Sequence, residues 1–297
     1  MVTENNLATD ISWLIEGRAV YHYTTAEGLL GILTSGRIWA SSVLHMNDAS
    51  ELLYAQKLYL DELDAYLRSM ERREVLNDLD FAVTLTGIGR GLIEEVLVFA
   101  ACFCRNGDLL SQWRGYGGAG GGYALGLDLP LTRATGWEWW DLVEVVYEES
   151  QQRQRFRSFF ERTLKRAREE PWQGPGHPWP PIADIQREAL YLLATCKSPA
   201  FSEEQEIRLV TWRHISAPLD VKWRPGRNLP VPYVEVSLTE DSSLWRGKPP
   251  VVDIVVGPTS HFEAQDRAFR FLLRQGGYQL NGYERIRIRR SAVPLRF

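Results

Sequence analysis

Val96-Leu97-Val98-Phe99-Ala100-Ala101-Cys102-Phe103-Cys104 is the longest unbroken apolar run in the chain, with acids before it and Asn106-Gly107 just after. Between such boundaries it reads as a strand buried on both faces, central to a sheet. Upstream, Val20-Tyr21-His22-Tyr23 alternates and is rich in β-formers, and Thr24-Thr25-Ala26-Glu27 has the Thr-x-x-Glu spacing of a helix capping box. Leu29, Leu30, Ile32 and Leu33 give that helix an apolar face. Gly36 stands where a left-handed cap is wanted, and Ile38-Trp39-Ala40-Ser41 is extended again. A second helix is predicted from Asp48-Ala49-Ser50-Glu51 to about Glu74.

Downstream, a helical patch at 109–113 meets a glycine-rich stretch at 115–122, followed by strands at 123–127 and 142–147. Helices are predicted at 151–170 and 182–195, separated by a Pro/Gly-rich loop at 171–181 that neither a helix nor a central strand tolerates. Strict alternation makes 204–212 a strand, and the tail carries strands near 233–238, 251–256 and 285–289 with a helix near 263–274. Clustered strands with irregularly inserted helices imply an α+β fold with a mixed or antiparallel sheet rather than a doubly wound one. The expectation is one large domain over 1–297, with a helical insertion at about 150–195.

With 44% apolar and 24% charged residues among 297, the chain has a soluble, globular balance. Thirty-four Lys and Arg against 38 Asp and Glu give a net charge of −4, so contact with nucleic acid or an anionic membrane must come from a local patch. Nine apolar residues are about half of the ~20 that span a bilayer as a helix. The opening MVTENNLATDISWL lacks the basic-then-apolar order of a secretory signal, so a cytoplasmic protein with no membrane partner is expected. Three cysteines, Cys102, Cys104 and Cys196, suit a reducing compartment.

Gly115-Tyr116-Gly117-Gly118-Ala119-Gly120 matches the letters of G-x-G-x-x-G. It does not match the mechanism, which needs a strand before and a helix after so that the pyrophosphate meets the helix N-terminus. The five histidines and the Cys102-x-Cys104 pair show no metal-ligand spacing. Trp137-Glu138-Trp139-Trp140 reads as core or as stacking surface for bases or nicotinamide, and Arg153, Arg155, Arg157, Lys165, Arg166 and Arg168, with Arg285, Arg287, Arg289 and Arg290 in the tail, read as solvated faces or as basic patches for phosphates. More informative is Glu204-x-Glu206-x-Arg208, where period-2 alternation puts two carboxylates and a guanidinium on one face. Such a pair suits acid/base work or stabilisation of an oxocarbenium ion, and a solvated face is the plain alternative. His22, at a strand end facing the next helix, is either a packed core histidine or a ligand contact.

The succession Tyr21-His22-Tyr23-Thr24, Gly28-Leu29-Leu30, Ser35 to Ala40, Asn47-Asp48 with Glu51, Cys102-Phe103, Asp108-Leu109-Leu110 with Trp113, 121–128, and Phe201 with Glu204-x-Glu206-x-Arg208 resembles the bacterial domain of unknown function 2971 family over nearly the whole chain. Its opening and its Glu-x-Glu strand are in turn similar to ADP-ribosyltransferase-like proteins, among them nucleic-acid-modifying toxins and RNA 2′-phosphotransferases. That resemblance implies a split-sheet α+β fold with NAD, as substrate, in a cleft between strands. It implies that His22 anchors the NAD ribose, that Glu206 bonds the nicotinamide ribose, and that Glu204 positions an acceptor. Trp113 and Tyr116 are candidates for the aromatic beside nicotinamide. Tyr23, Thr24, Asn47 and Arg208 complete the expected NAD contacts.

The implied activity is ADP-ribosyl transfer or NAD hydrolysis, with a macromolecular acceptor, nucleic acid among the candidates, in phage defence or as a toxin. The chemistry is consistent: nicotinamide is already a cationic leaving group, so a fixed negative charge near the oxocarbenium matters more than acid catalysis. Two alternatives stand beside it. One is a non-catalytic module of the same fold that holds nucleic acid or protein; the other is a metal-independent RNA-processing enzyme using His22 and the carboxylates as acid and base.

Overall fold

The computed structural model describes residues 19–45, 50–71, 78–118, 121–130, 132–135, 138–169, 182–214, 220–226, 229–239, 245, 247–259, 261–278 and 286–294. Asn47 and the 171–181 loop lie outside them.

The architecture follows from β3, Val96–Cys104. One edge pairs antiparallel with β7, Glu206–His214, over its whole length, from Val96↔His214 to Cys104↔Glu206. The other edge is shared. β1, Val20–Thr24, meets it at Tyr21↔Cys104, whereas β2, Arg37–Ser42, meets it at Ser41↔Ala100 and Ser42↔Phe99. From there the two splay apart, β1 pairing with β4, Tyr23 opposite Ala124 within Tyr123–Leu127, and β2 with β9, Pro230–Ser237. The sheet is therefore parted beside residues 101–103 of its central strand.

Around this parting the remaining strands extend the sheet. β5, Thr132–Thr135, pairs with β6, Glu138–Glu144, which pairs with β7; β8, Lys222–Pro225, is the edge beyond β9. β10, Val251–Val256, lies on β4, and β11, Arg287–Arg290, runs parallel to β10. The eleven described strands form one open, mixed sheet, as expected for α+β.

Alternation along β3 explains its unbroken apolar sequence. Phe99, Ala101 and Phe103 face a core closed by Leu29 and Ile32 of α1, Ala26–Ser35, and by Phe269 and Leu273 of the helix Phe262–Gln275. Val98 and Ala100 face the opposite core, closed by α2, Ser50–Ser69, α3, Leu79–Glu95, and the helices Glu149–Glu169 and Ile182–Ala194, through Tyr59, Phe81, Phe156 and Phe160. A central strand covered on both sides has no face to leave polar. No described helix is long and apolar enough to cross a membrane.

Several expectations shift. The cap of α1 is Thr25, whose Oγ1 accepts from the Gly28 amide at 3.3 Å, one residue later than Thr24-x-x-Glu27 implies. Gly36 takes the left-handed cap conformation (φ 68°) as expected. α2 stops at Ser69 rather than near Glu74. Helix α3 was not anticipated; a Cβ on its Gly89 would stand 2.6 Å from the Tyr59 ring, so that glycine serves close helix packing. The strand expected at 142–147 is β6, Glu138–Glu144, and Val146 makes only an isolated bridge to Cys196. The strand expected from Glu204 begins at Glu206, because Ser198 caps a 3-10 helix over Pro199–Glu204. The helical patch at 109–113 is α4, Leu110–Tyr116, which takes in Gly115 and runs into the other glycines ahead of β4, the helix, glycines, strand order read from the sequence.

Candidate active site

Paired strand residues point to the same side of a sheet. Tyr21↔Cys104 and Cys104↔Glu206 therefore set Tyr21, Cys104 and Glu206 on one face, while His22, Phe103 and Ile207 occupy the other. His22 lies against Phe103 there, ring centroids 5.6 Å apart. The parting between β1 and β3 nevertheless lets both His22 and Glu206 reach one cavity of about 60 Å³, whose wall also includes Tyr21, Cys102, Tyr116 and Glu204.

His22 Nδ1 stands 2.9 Å from the Cys102 carbonyl oxygen, beside the point where β1 leaves β3. A carbonyl only accepts, so Nδ1 carries the proton. Burial holds the imidazole below its ordinary value of 6.5, partly offset by this bond, which leaves the ring neutral with its lone pair on Nε2.

A depressed histidine pKa has a definite sign: the unfolded chain binds the proton more readily, so stability is full above pH 6.5 and falls as pH drops below it. His22→Gln keeps a donor for the carbonyl and removes the titration. It is expected to flatten the stability slope just below pH 6.5 by up to about 1.4 kcal/mol per pH unit, read from urea midpoints between pH 7.5 and 5. A slope equal to that of the parent chain would contradict the buried, neutral imidazole.

Glu206 is 4% exposed and sits in a net of three carboxylates and two cations. Arg208 donates from Nε to Glu206 Oε1 at 2.8 Å, from Nη2 to Glu206 Oε2 at 3.0 Å and Glu51 Oε2 at 2.6 Å, and from Nη1 to the Ala194 carbonyl at 2.8 Å. Lys197 Nζ donates to Glu204 at 2.6 Å and Glu206 at 3.0 Å and pairs with Glu51 at 2.9 Å. Burial by itself would raise the Glu206 pKa; the Arg208 charge and hydrogen bonds, then Lys197, outweigh it and pull it down to about 2. Among the described residues, the three acids against two bases leave one net negative charge beside the cavity.

Local structure holds these groups in place. The Lys197 amide donates to Val146 O at 3.1 Å and its carbonyl accepts from the buried Gln152 Nε2 at 2.8 Å. Gln205 turns the chain from the 3-10 helix into β7 at φ 45°, ψ 48°, the one described non-glycine residue with positive φ. Glu204 thus joins the net from the end of the 3-10 helix and not from the strand face. Burial raises the thiols of Cys102 and, up to about 12, of Cys104, so both stay protonated.

The other expected contacts distribute unevenly. Tyr116, 43% exposed, is on the cavity wall, whereas Trp113, 2% exposed, is turned into the core with its Nε1 donating to Asp108 at 2.8 Å. Tyr23 lines the cavity, but its hydroxyl already donates to Asn106 O at 2.9 Å and accepts from the Leu109 amide at 2.8 Å. Thr24 ends β1 outside the cavity wall, Arg208 stands behind Glu206, and Asn47 lies outside the described residues.

Trp140 is core, and Arg153 and Arg157 pair with Glu62 on the helical layer. Lys197 and Gln112 were missed; the one signal for Lys197 is that it is the only lysine between Lys165 and Lys222 and follows a helix whose end is buried. A larger cavity, about 510 Å³, lies at the C-terminal ends of α1 and of the helix Phe262–Gln275, and no acid or histidine lines it among the described residues. Among the described residues no group of three or more His, Cys, Asp and Glu is placed to hold a metal ion.

No curated protein and no solved structure matches the chain. The family model described as "Protein of unknown function (DUF2971)" matches residues 112–209, not nearly the whole chain, so the likeness to that family lies on Tyr116, Lys197, Glu204, Glu206 and Arg208 and leaves out His22 and Glu51.

Proposed function

We propose that the chain consumes NAD, as an ADP-ribosyltransferase or NAD glycohydrolase acting at the parting of the sheet. The observation that carries the reading is that His22 and Glu206, on opposite faces and far apart in sequence, reach the same cavity. In this reading the bond from the ribose C1′ to the nicotinamide nitrogen breaks, and nicotinamide leaves with the electron pair. The oxocarbenium is captured by an acceptor hydroxyl or amine, or by water, which gives up a proton. Glu206, fixed as an anion by Arg208 and Lys197, stabilises the developing cation. The neutral His22 accepts a ribose hydroxyl at Nε2, and Glu204 orients the acceptor. The left-handed Gln205 between the two acids is the kind of backbone outlier that clusters at functional sites.

A cavity of about 60 Å³ is well below the ~300 Å³ of small-ligand pockets, so the reading requires Tyr116 to move aside on binding. Incubation of the purified protein with NAD is expected to release nicotinamide, followed by chromatography, with ADP-ribose either free or attached to added protein or nucleic acid. No release with any acceptor offered would end the reading. A second reading, a module of this fold without chemistry, is favoured by one observation: both Glu206 oxygens are already bonded to Arg208 and Lys197. The same assay separates the two, since a module binds without consuming NAD.

A further inference from the structure

Gln112 lines the cavity beside Glu204 and Glu206, and the chemistry above gives it no task. The residue is 6% exposed, yet among the described residues neither its Oε1 nor its Nε2 has a hydrogen-bond partner. Ser111 Oγ and Trp140 Nε1 are unpartnered too, but those atoms are sealed from solvent. The Gln112 amide is not sealed, and the space it opens to is the cavity. Holding an amide out of bulk water without partners is unfavourable, so this one points to what the cavity takes.

The fold places that amide deliberately. α4 is fixed through Trp113, whose indole donates to Asp108 at 2.8 Å and meets the Tyr23 ring edge-on, centroids 4.7 Å apart. Gln112 and Tyr116 stand four residues apart, so they share one face of the helix, and both are on the cavity wall. Tyr21, Tyr23 and Phe103 add further rings to that wall. The cavity therefore offers aromatic surfaces and, in Gln112, one hydrogen-bond donor beside one acceptor.

We propose that Gln112 reads a primary carboxamide on a single aromatic ring, its Nε2 donating to the ligand carbonyl and its Oε1 accepting from the ligand NH2. Two amides set edge to edge satisfy each other twice. A carboxylate in that place accepts from Nε2 but turns its second oxygen against Oε1, and a ketone leaves Oε1 unpaired. Adenine carries the same donor and acceptor on its N6/N7 edge, but on two fused rings. A cavity of about 60 Å³ that gains room from one side chain, Tyr116, suits one ring. The proposal rests on the NAD-consuming reading for what carries the ring: it is then nicotinamide, and Gln112 sets the preference for NAD over its deamidated analogue.

The test is titration of the full chain with nicotinamide, 3-acetylpyridine, nicotinate and adenosine by ligand-observed NMR, in which no bond is broken. Nicotinamide is expected to bind about tenfold more tightly than each of the others. Gln112→Met is expected to erase that preference while its urea midpoint stays at or above that of the parent chain, because no hydrogen bond within the protein is lost. Equal binding of any of the other three ligands to the parent chain, an unchanged preference in Gln112→Met, or a lowered midpoint would each overturn the proposal. Turnover is read separately, as nicotinamide released from NAD against nicotinate released from nicotinic acid adenine dinucleotide. Selective nicotinamide binding with no release from NAD strikes only the NAD reading, and equal release from both dinucleotides strikes only this one.

Discussion

Arg208→Met is expected to destabilise the protein by about 3–5 kcal/mol, because it leaves buried carboxylates without their main cation. Arg208 is fully engaged: Glu206 holds it through two bonds, Glu51 through one and the Ala194 carbonyl through another. Methionine fills much of the volume, so the loss reports charge and hydrogen bonding rather than a cavity. The pH dependence gives a second readout. A Glu206 pKa pulled from 4.5 to about 2 contributes stability on the order of 3 kcal/mol that is present above pH 4.5 and lost as pH falls towards 2. Without Arg208 that acid limb moves to higher pH. Pairing Arg208→Met with Glu206→Gln is expected to recover part of the loss, and the double-mutant cycle measures the coupling. A single-variant loss below about 1 kcal/mol would mean that the net behaves as a solvated surface pair.

What the sequence disclosed depended on whether the signal was local. β3, β4 and β10 have the boundaries that their apolar runs imply, because the strand period and the turn residues beside them are read within a few positions. The α1 cap was off by one residue because Thr24 and Thr25 are both competent caps, and only the chain path chooses between them. Lys222-Trp223-Arg224-Pro225 escaped notice since proline demotes a strand, yet at the sheet edge its missing N–H costs nothing.

The candidate site was legible in the same measure. Glu206 and Arg208 share a face, as alternation dictates. Their neighbours could not be read, because Glu51 and Lys197 reach them only through packing of α2 and of the segment after Ala194. The alternation argument was also too simple at Glu204, where Ser198-Pro199 starts a 3-10 helix. Convergence nevertheless survives, since Lys197 gathers Glu204 and Glu206 from two different elements. That His22 and Glu206 occupy opposite faces while sharing a cavity depends on the parting of β1 from β3, which no local pattern encodes.

On the proposed NAD-consuming reading, Glu206→Gln is the variant with the largest expected effect on turnover: nicotinamide release is expected to fall by about 10²–10³-fold with little change in KM for NAD. The substitution keeps the shape of the side chain but takes the net, as counted over the described residues, from one negative charge to zero, removing what stabilises the cationic transition state while leaving ground-state contacts in place. Glu204→Gln changes the net charge by the same amount from a position at the end of the 3-10 helix. If only the summed field matters, the two variants lose activity alike. If Glu206 touches the ribose and Glu204 orients the acceptor, Glu206→Gln shows the full fall in release, whereas Glu204→Gln spares hydrolysis of NAD and impairs transfer to a macromolecule. Parent-like release by Glu206→Gln, with its fold verified by thermal melting, would leave the acids with a purely structural role and remove the basis for NAD chemistry at this cavity.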